Sequence, residues 1–321
     1  MGRTFRVGTR RSQLATTQTG HVVKALQDLH PGLAVDIVEI LTKGDRIQDV
    51  ALSKVGGKGL FISELEEALL QGRVDFAVHS LKDVPAELAP GLVIGAVPRR
   101  EDPHDLLITR EGYTITTLPE RPRIGTSSLR RSAQILRLRP DVQIEPLRGN
   151  IDTRLRRLQD QAQLDGIVLA AAGLMRMGWW APDHATTLPA GLGAVLLTEQ
   201  ELIPAVGQGA LCIECRATDE ELLSLLQGLH DREAEATTRA ERAFLKAVGG
   251  SCQVPVAGYA TMASVPSGNG RVVLRGWIGS PDGQQMSSGS QSGEDPERLG
   301  RELGEHLLAT GGRSILDQLS C

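Results

Sequence analysis

The chain has 321 residues, of which 40% are hydrophobic, 23% charged and only 3% aromatic, with a formal net charge of -4. That length calls for two or three domains, while the acidic balance and scarce aromatics argue against nucleic-acid or anionic-membrane binding. Four cysteines in so long a chain make no disulfide scaffold, no apolar run reaches membrane-spanning length, and the first residues lack a signal-peptide core, so the expected location is cytoplasmic.

Residues 5–9 read as a short strand running into Arg10, Arg11 and Ser12. Ser12 is placed to cap a helix with the apolar stripe Leu14, Ala15, Val22, Ala25, Leu26 and Leu29, stopped by Pro31-Gly32. Strand, turn and helix start in succession favour an anion, and Arg10 stands in that turn. A second strand covers 35–41. Residues 45–59 show no clear period and end in Lys54-Val55-Gly56-Gly57-Lys58-Gly59, which lacks Walker spacing and reads as a glycine-hinged flap. A helix over 60–71, closed by Gly72, leads to the stretch on which the chain is organised.

That stretch, residues 74–85, opens as an apolar run short enough for a buried parallel strand. It then breaks into His79, Ser80, Lys82 and Asp83 before Pro85. Ligands of open α/β sheets sit beyond the carboxyl ends of the strands, so Lys82 and Asp83 are placed for chemistry. The competing reading is a solvated surface pair.

Residues 92–97 form another strand, and 99–105 a polar crossover where a domain boundary is expected. Between 121 and 157 the chain holds ten arginines against three acids. Two sub-stretches, 124–131 and 144–154, repeat the strand, turn and helix design. Each puts arginines at a helix start, which the dipole disfavours unless an anion is bound. That selects Arg130, Arg131, Arg148 and Arg154, and leaves Arg137, Arg139, Arg156 and Arg157 to solvate helix faces. A strand over 165–172 is followed by Arg176. Residues 198–210 run into a strand over 211–216, then helices over 220–229 and 234–248, then Gly249-Gly250-Ser251-Cys252. Strands over 256–261 and 271–279, a Ser/Gly-rich stretch over 281–293 and a helix over 296–309 predict a small antiparallel sheet with helices on one face. Cys212 and Cys215 have redox or zinc spacing but no second pair, and positions three apart in a strand face opposite ways. Core packing explains them, and no metal site is expected.

Six motifs occur in order: Gly56-Gly57-Lys58-Gly59-Leu60-Phe61, residues 79–85, Gly125-Thr126-Ser127-Ser128-Leu129-Arg130-Arg131, Arg148-Gly149-Asn150, residues 204–209 and Gly250-Ser251-Cys252. Together they resemble the porphobilinogen deaminases, or hydroxymethylbilane synthases, densely from residue 5 to about 260 and loosely beyond. The resemblance implies an α/β fold. Two doubly wound domains similar to type II periplasmic binding proteins, with the active site in the cleft between them, precede a small α+β C-terminal domain. Domain 1 is expected at 1–100 and 198–217, domain 2 at 103–197 and domain 3 at 218–321. The implied reaction joins four porphobilinogen molecules head to tail, releases four ammonia molecules and yields hydroxymethylbilane. A dipyrromethane cofactor, held by a thioether to Cys252, is implied as well.

Each pyrrole ring of such a substrate bears two carboxylates, so the growing chain needs fixed cations, and the planar arginine fork suits carboxylates. The matching positions are Arg10, Arg130, Arg131, Arg148, Arg154 and Arg176, with Lys82, Ser12, Thr126, Ser127, Ser128 and Gly149 beside them. Asp83 matches the carboxylate that stabilises the azafulvene cation left by ammonia and exchanges protons with pyrrole nitrogens. Lys54 and Lys58 belong to a lid. Cys252 lies past a helix C-terminus, where the dipole does not activate a thiol, so its attachment rests either on the reactivity of the azafulvene electrophile or on local groups that the sequence does not reveal. The expected partner is porphobilinogen, bound by a monomer without nucleic acid or membrane. A non-catalytic two-lobed binding protein for anionic small molecules would explain the arginines but not Cys252 or Asp83. A nucleic-acid binder would use the 121–157 arginines, against the net charge.

Overall fold

The computed structural model describes residues 3–46, 62–160, 163–182, 187–189, 191–250, 254–263 and 270–319. In chain order the strands are β1 (Thr4–Thr9), β2 (Ala34–Glu39), β3 (Phe76–Ser80), β4 (Leu92–Ala96), β5 (Asp105–Thr109), β6 (Arg123–Gly125) and β7 (Gln143–Glu145). They continue with β8 (Gly166–Ala170), β9 (Gly193–Leu197), β10 (Leu211–Arg216), β11 (Val256–Ala263), β12 (Arg271–Gly279) and β13 (Met286–Gly293). The α-helices of five or more residues are α1 (Gln13–Leu29), α2 (Ser63–Leu70), α3 (Leu129–Leu138), α4 (Ile151–Asp160), α5 (Ala171–Arg176), α6 (Glu220–Leu226), α7 (Arg232–Ala247), α8 (Pro296–Leu307) and α9 (Arg313–Asp317).

The chain divides into two compact units, 1–101 with 209–235 and 102–208 with 236–321. In the first, a five-stranded sheet has the order β2-β1-β3-β10-β4. β2, β1 and β3 are parallel, whereas β10 runs antiparallel to both β3 and β4. Ser12 caps α1 as its sequence predicts, accepting the Ala15 N–H. One sheet face packs Phe5, Val7, Phe76, Val78 and Ile213 against Val22 and Leu26 of α1 and Leu222 and Leu226 of α6. The other face buries Val74 and Ala77 under Leu65, Ala68 and Leu69 of α2. Each fully buried Val, Leu, Ile or Phe among them contributes roughly 1.5–3 kcal/mol.

The second unit repeats the plan with the order β7-β6-β8-β5-β9. Here β7, β6 and β8 are parallel and β5 is antiparallel to β8 and β9. Alternation along β5 sends Leu106 and Ile108 to one core and Leu107 to the other. The same unit holds the antiparallel meander β11-β12-β13, whose core joins Leu274 and Ile278 to Phe244 of α7 and to Leu299, Leu303 and Leu307 of α8. Ala133 of α3 packs with Ala257, Trp277 and Ile203, which ties the meander to the five-stranded sheet.

The two compact units group the chain differently from the three expected domains. The chain returns to the first unit at 209 rather than 198, because β9 is paired with β5 and remains in the second. Residues 218–235 stay with the first unit, where α6 covers its sheet. The small C-terminal sheet exists as expected, but its contacts merge it with the second unit. Cys212 and Cys215 point to opposite faces into two different cores, and burial pushes the Cys215 thiol up to about 11.

Candidate functional site

In the first unit, β1 and β3 are parallel, so the segments that follow them leave the same edge of the sheet. After β1 comes half-buried Arg10 and then the α1 cap. Thr9 and Thr19 hold strand to helix through a hydroxyl bond of 2.9 Å. After β3 the chain makes one 3-10 turn, Leu81–Asp83. Buried Leu81 anchors it, with its N–H bonded to the Ala210 carbonyl at 3.0 Å. Lys82 is half-buried and Asp83 is exposed, a carboxylate presented on a pinned turn rather than a loose loop. Buried Gln18 of α1 is hydrogen-bonded to the Ser80 hydroxyl at 3.2 Å, fixing the start of that turn. Beneath it, His79 Nε2 and Glu214 Oε2 lie 2.9 Å apart with almost no exposure, although they are not aligned for a hydrogen bond.

In the second unit the carboxyl ends of β6, β7 and β8 share one edge for the same reason. Thr126, Ser127 and Ser128 follow β6 and are locally engaged. The Ser128 hydroxyl caps α3 by accepting the Arg131 N–H, Thr126 Oγ1 accepts the Ser128 N–H, and Ser127 donates to the Leu147 carbonyl. Arg148 and Gly149 follow β7. Gly149 has φ +110, and a Cβ there would meet Thr153 at 2.8 Å, so only glycine suits the turn into α4. Its carbonyl accepts from Arg154 Nε at 2.8 Å. Arg176 closes α5, the short helix directly after β8. Arg148, Arg154 and Arg176 are all half-buried.

Arg130 and Arg131 are nearly closed to solvent, with side chains 6% and 8% exposed. Both meet Asp105, whose side chain is fully buried. The sequence reading sends these two forks to an external anion, and the chain supplies one further anion of its own. Asp105 opens β5, which the polar-crossover reading of 99–105 missed. Because β5 is antiparallel to β8, Asp105 pairs with Ala170 at the carboxyl end of β8, on the edge where the arginines stand. An acidic residue directly before the apolar run Leu106-Leu107-Ile108 was the available signal. Burial alone would raise the Asp105 carboxyl, but the two guanidinium groups and Gln208 hold it far below the usual carboxylate range.

Lys54, Lys58 and Cys252 lie outside the described residues. The helix before Cys252 ends at Ala247, and Gly249 follows with φ +65, as the predicted C-terminus requires. Among the described residues no group of His, Cys, Asp or Glu is placed to hold a metal ion, and no helix is long and apolar enough to cross a membrane.

Two family models match, the porphobilinogen deaminase dipyrromethane cofactor binding domain over residues 5–224 and the porphobilinogen deaminase C-terminal domain over 236–309. The chain belongs to the porphobilinogen deaminase family. A porphobilinogen deaminase of Brevibacillus brevis is 50% identical over 98% of this chain and 97% of its own. One of Bacillus subtilis is 49% identical over 99% and 97%. The periplasmic aliphatic sulphonate binding protein of Escherichia coli is 13% identical, with a TM-score of 0.40 over 77% of this chain and 70% of that one. The strand orders above, not that likeness, define the architecture. Family membership carries porphobilinogen deaminase activity, which is that of a hydroxymethylbilane synthase and so of a transferase, and the dipyrromethane cofactor that the first domain model describes. A purely ligand-binding reading is not favoured.

The donor set of the second unit fits such a group. Dipyrromethane built from two porphobilinogen units carries four carboxylates, and the edge holds arginines at the ends of all three parallel strands. Among the described residues, the chain takes two of the five N–H donors of Arg130 and three of those of Arg131. Three and two remain.

Proposed function

We propose that this chain is a hydroxymethylbilane synthase whose chemistry is carried by Asp83 and whose anionic chain is held by the arginines of the second unit. When bound through Cys252, dipyrromethane would supply the free pyrrole carbon to which the first porphobilinogen unit is joined, each later unit joining the one before it. The protein's own residues bind, orient and move protons. Arg10 and Lys82 take porphobilinogen carboxylates at the first edge, with Ser12 as a further donor. Asp83 stabilises the cation formed as porphobilinogen loses ammonia and exchanges a proton with its pyrrole nitrogen. Arg130, Arg131, Arg148, Arg154 and Arg176, with Thr126, Ser127, Ser128 and the Gly149 backbone, hold cofactor and chain carboxylates. Lys54 and Lys58 belong to a lid that excludes water.

The observation that carries this reading is the pinned turn that presents Asp83 at the carboxyl edge of β3. A binding module has no use for a carboxylate held there beside anion-binding cations. The test is the intact mass of denatured wild-type protein and of Cys252→Ser. An excess of two linked pyrrole units in the wild type, absent in the variant, supports covalent attachment. A bare polypeptide mass in active wild-type protein refutes it. We further propose a cytoplasmic monomer, checked by light scattering on the purified protein and by cell fractionation.

A further inference from the structure

We propose that Asp105 is a positioning residue for the reaction, fixing the forks of Arg130 and Arg131 so that their remaining donors form one preset seat for dipyrromethane carboxylates. This rests on the reading above that the two arginines bind the cofactor.

Asp105 is shared rather than paired. Its Oδ1 accepts from Arg131 Nε at 3.0 Å, from Arg131 Nη2 at 2.6 Å and from Gln208 Nε2 at 3.0 Å. Its Oδ2 accepts from Arg130 Nη2 at 2.8 Å. One nitrogen of each fork is pinned elsewhere, Arg130 Nη1 on the Ile203 carbonyl and Arg131 Nη1 on that of Val168. With two ends held, neither guanidinium can turn. The order is built outward. Gln208 also donates to the Pro103 carbonyl at 2.7 Å, and Gln134 grips Ile203 through both its N–H and its carbonyl. Buried Glu241 accepts the N–H groups of Gly207 and Ala260, holding the loop that bears Gln208.

Charge separates this arrangement from a plain structural ion pair. Two arginines and one aspartate leave one positive charge in excess in a nearly closed place. Burial without full compensation is costly, and burial does lower the pKa of Arg130 despite Asp105. A second carboxylate would complete the balance, and the donors that the chain does not use are available to it. An arginine already held in place loses less side-chain entropy on binding than one that must be ordered.

Four proteins decide the matter: Asp105→Asn, Gln208→Met, Arg131→Gln and the Asp105→Asn/Arg131→Gln double variant. Each is purified, melted, weighed intact for the dipyrromethane adduct, and assayed for KM and kcat on porphobilinogen. Asp105→Asn is expected to fold with a lower midpoint and to carry at least about tenfold less adduct. The double variant is expected to be no worse in adduct than the worse single, because Asp105 acts through the arginines. Should Asp105→Asn fail to fold, Gln208→Met, which alters one neutral donor, is expected to fold and to raise KM severalfold with kcat nearly unchanged. Wild-type adduct in folded Asp105→Asn, multiplying losses in the double variant, or wild-type KM in Gln208→Met would each overturn the inference. Full adduct and turnover in Arg131→Gln would instead overturn the arginine reading beneath it.

Discussion

Each five-stranded sheet buries one aspartate among arginines, yet the two clusters stand at opposite edges. Asp75 lies just before β3 and receives Arg3, Arg6 and Arg216, whose side chains are 34%, 43% and 22% exposed. Its carboxyl would be raised by burial, but the Arg6 backbone N–H and the three side chains bring it below the ordinary value. Asp105 sits where parallel strands end, and both its arginines are shut in. The chemistry is the same and the consequence differs. At the amino edge water screens the cations, Asp219 and Glu221 complete the balance of charge, and the cluster clamps the segment before β1 to the sheet. At the carboxyl edge the surplus charge and spare donors leave the cluster incomplete until an anion arrives. Position relative to strand direction, not residue type, separates a clamp from a seat.

If that comparison holds, the largest effect without loss of fold belongs to the first unit's carboxyl edge. Asp83→Asn is expected to lower kcat at least about 100-fold, while the melting midpoint stays within error because Asp83 is exposed. Near-normal turnover would remove Asp83 from the chemistry. The amino-edge cluster is expected to behave in the opposite way. Asp75→Ala removes an acceptor shared by three arginines, which keep Asp219, Glu221 and backbone carbonyls as partners. It should cost roughly 1–3 kcal/mol in urea unfolding, with kcat and KM of the folded protein unchanged. A turnover defect at unaltered stability would break the distinction between edges. Gly149→Ala sharpens it from the backbone side. A methyl at φ +110, 2.8 Å from Thr153, is expected to cost about 1–3 kcal/mol and to shift the turn that carries Arg148. Lower stability with a higher KM is the expected pair of readings, and an unchanged melt would contradict the strain.

The sequence carried much of this plan and lost particular parts of it for identifiable reasons. Ser12, its apolar stripe and the Pro31-Gly32 stop locate α1, because capping and period are local signals. The opposed cores of Cys212 and Cys215 follow from strand alternation alone. β13, by contrast, reads as a loop because it alternates serine and glycine and offers no apolar period. It is a strand because β12 pairs with it throughout and α8 packs on it, with a Cβ at Gly289 coming 3.3 Å from Leu307. β9 hides for a similar reason, since only pairing with β5 defines it. Asp83, Lys82 and the Thr126-Ser127-Ser128 turn were legible because they end apolar runs. Asp105 was not, because its partners lie 25 and 26 residues away and only the antiparallel β5 brings it to them.

The smallest predicted effect lies next to Asp105. His104 Nδ1 is 2.7 Å from Asp102 Oδ1, its ring stands edge-on to Tyr259, and Asp105 and Glu199 add negative potential. The hydrogen bond to Asp102 raises His104 above its ordinary 6.5, against the opposing effect of burial. Asp102, which burial would raise, is brought below 3.8 by His104. A histidine whose folded pKa is raised contributes stability that is complete below 6.5 and fades as pH climbs through the raised value. An aspartate whose folded pKa is lowered contributes above 3.8 and loses that contribution as pH falls through the lowered value. The pair therefore stabilises most in mildly acidic solution. His104→Gln is expected to cost less than about 1 kcal/mol at pH near 6 and almost nothing near 9, as for other solvent-touched pairs. Melting both proteins across that range checks it. A gap between them that stays constant with pH would show that His104 acts there by packing on Tyr259, not by charge.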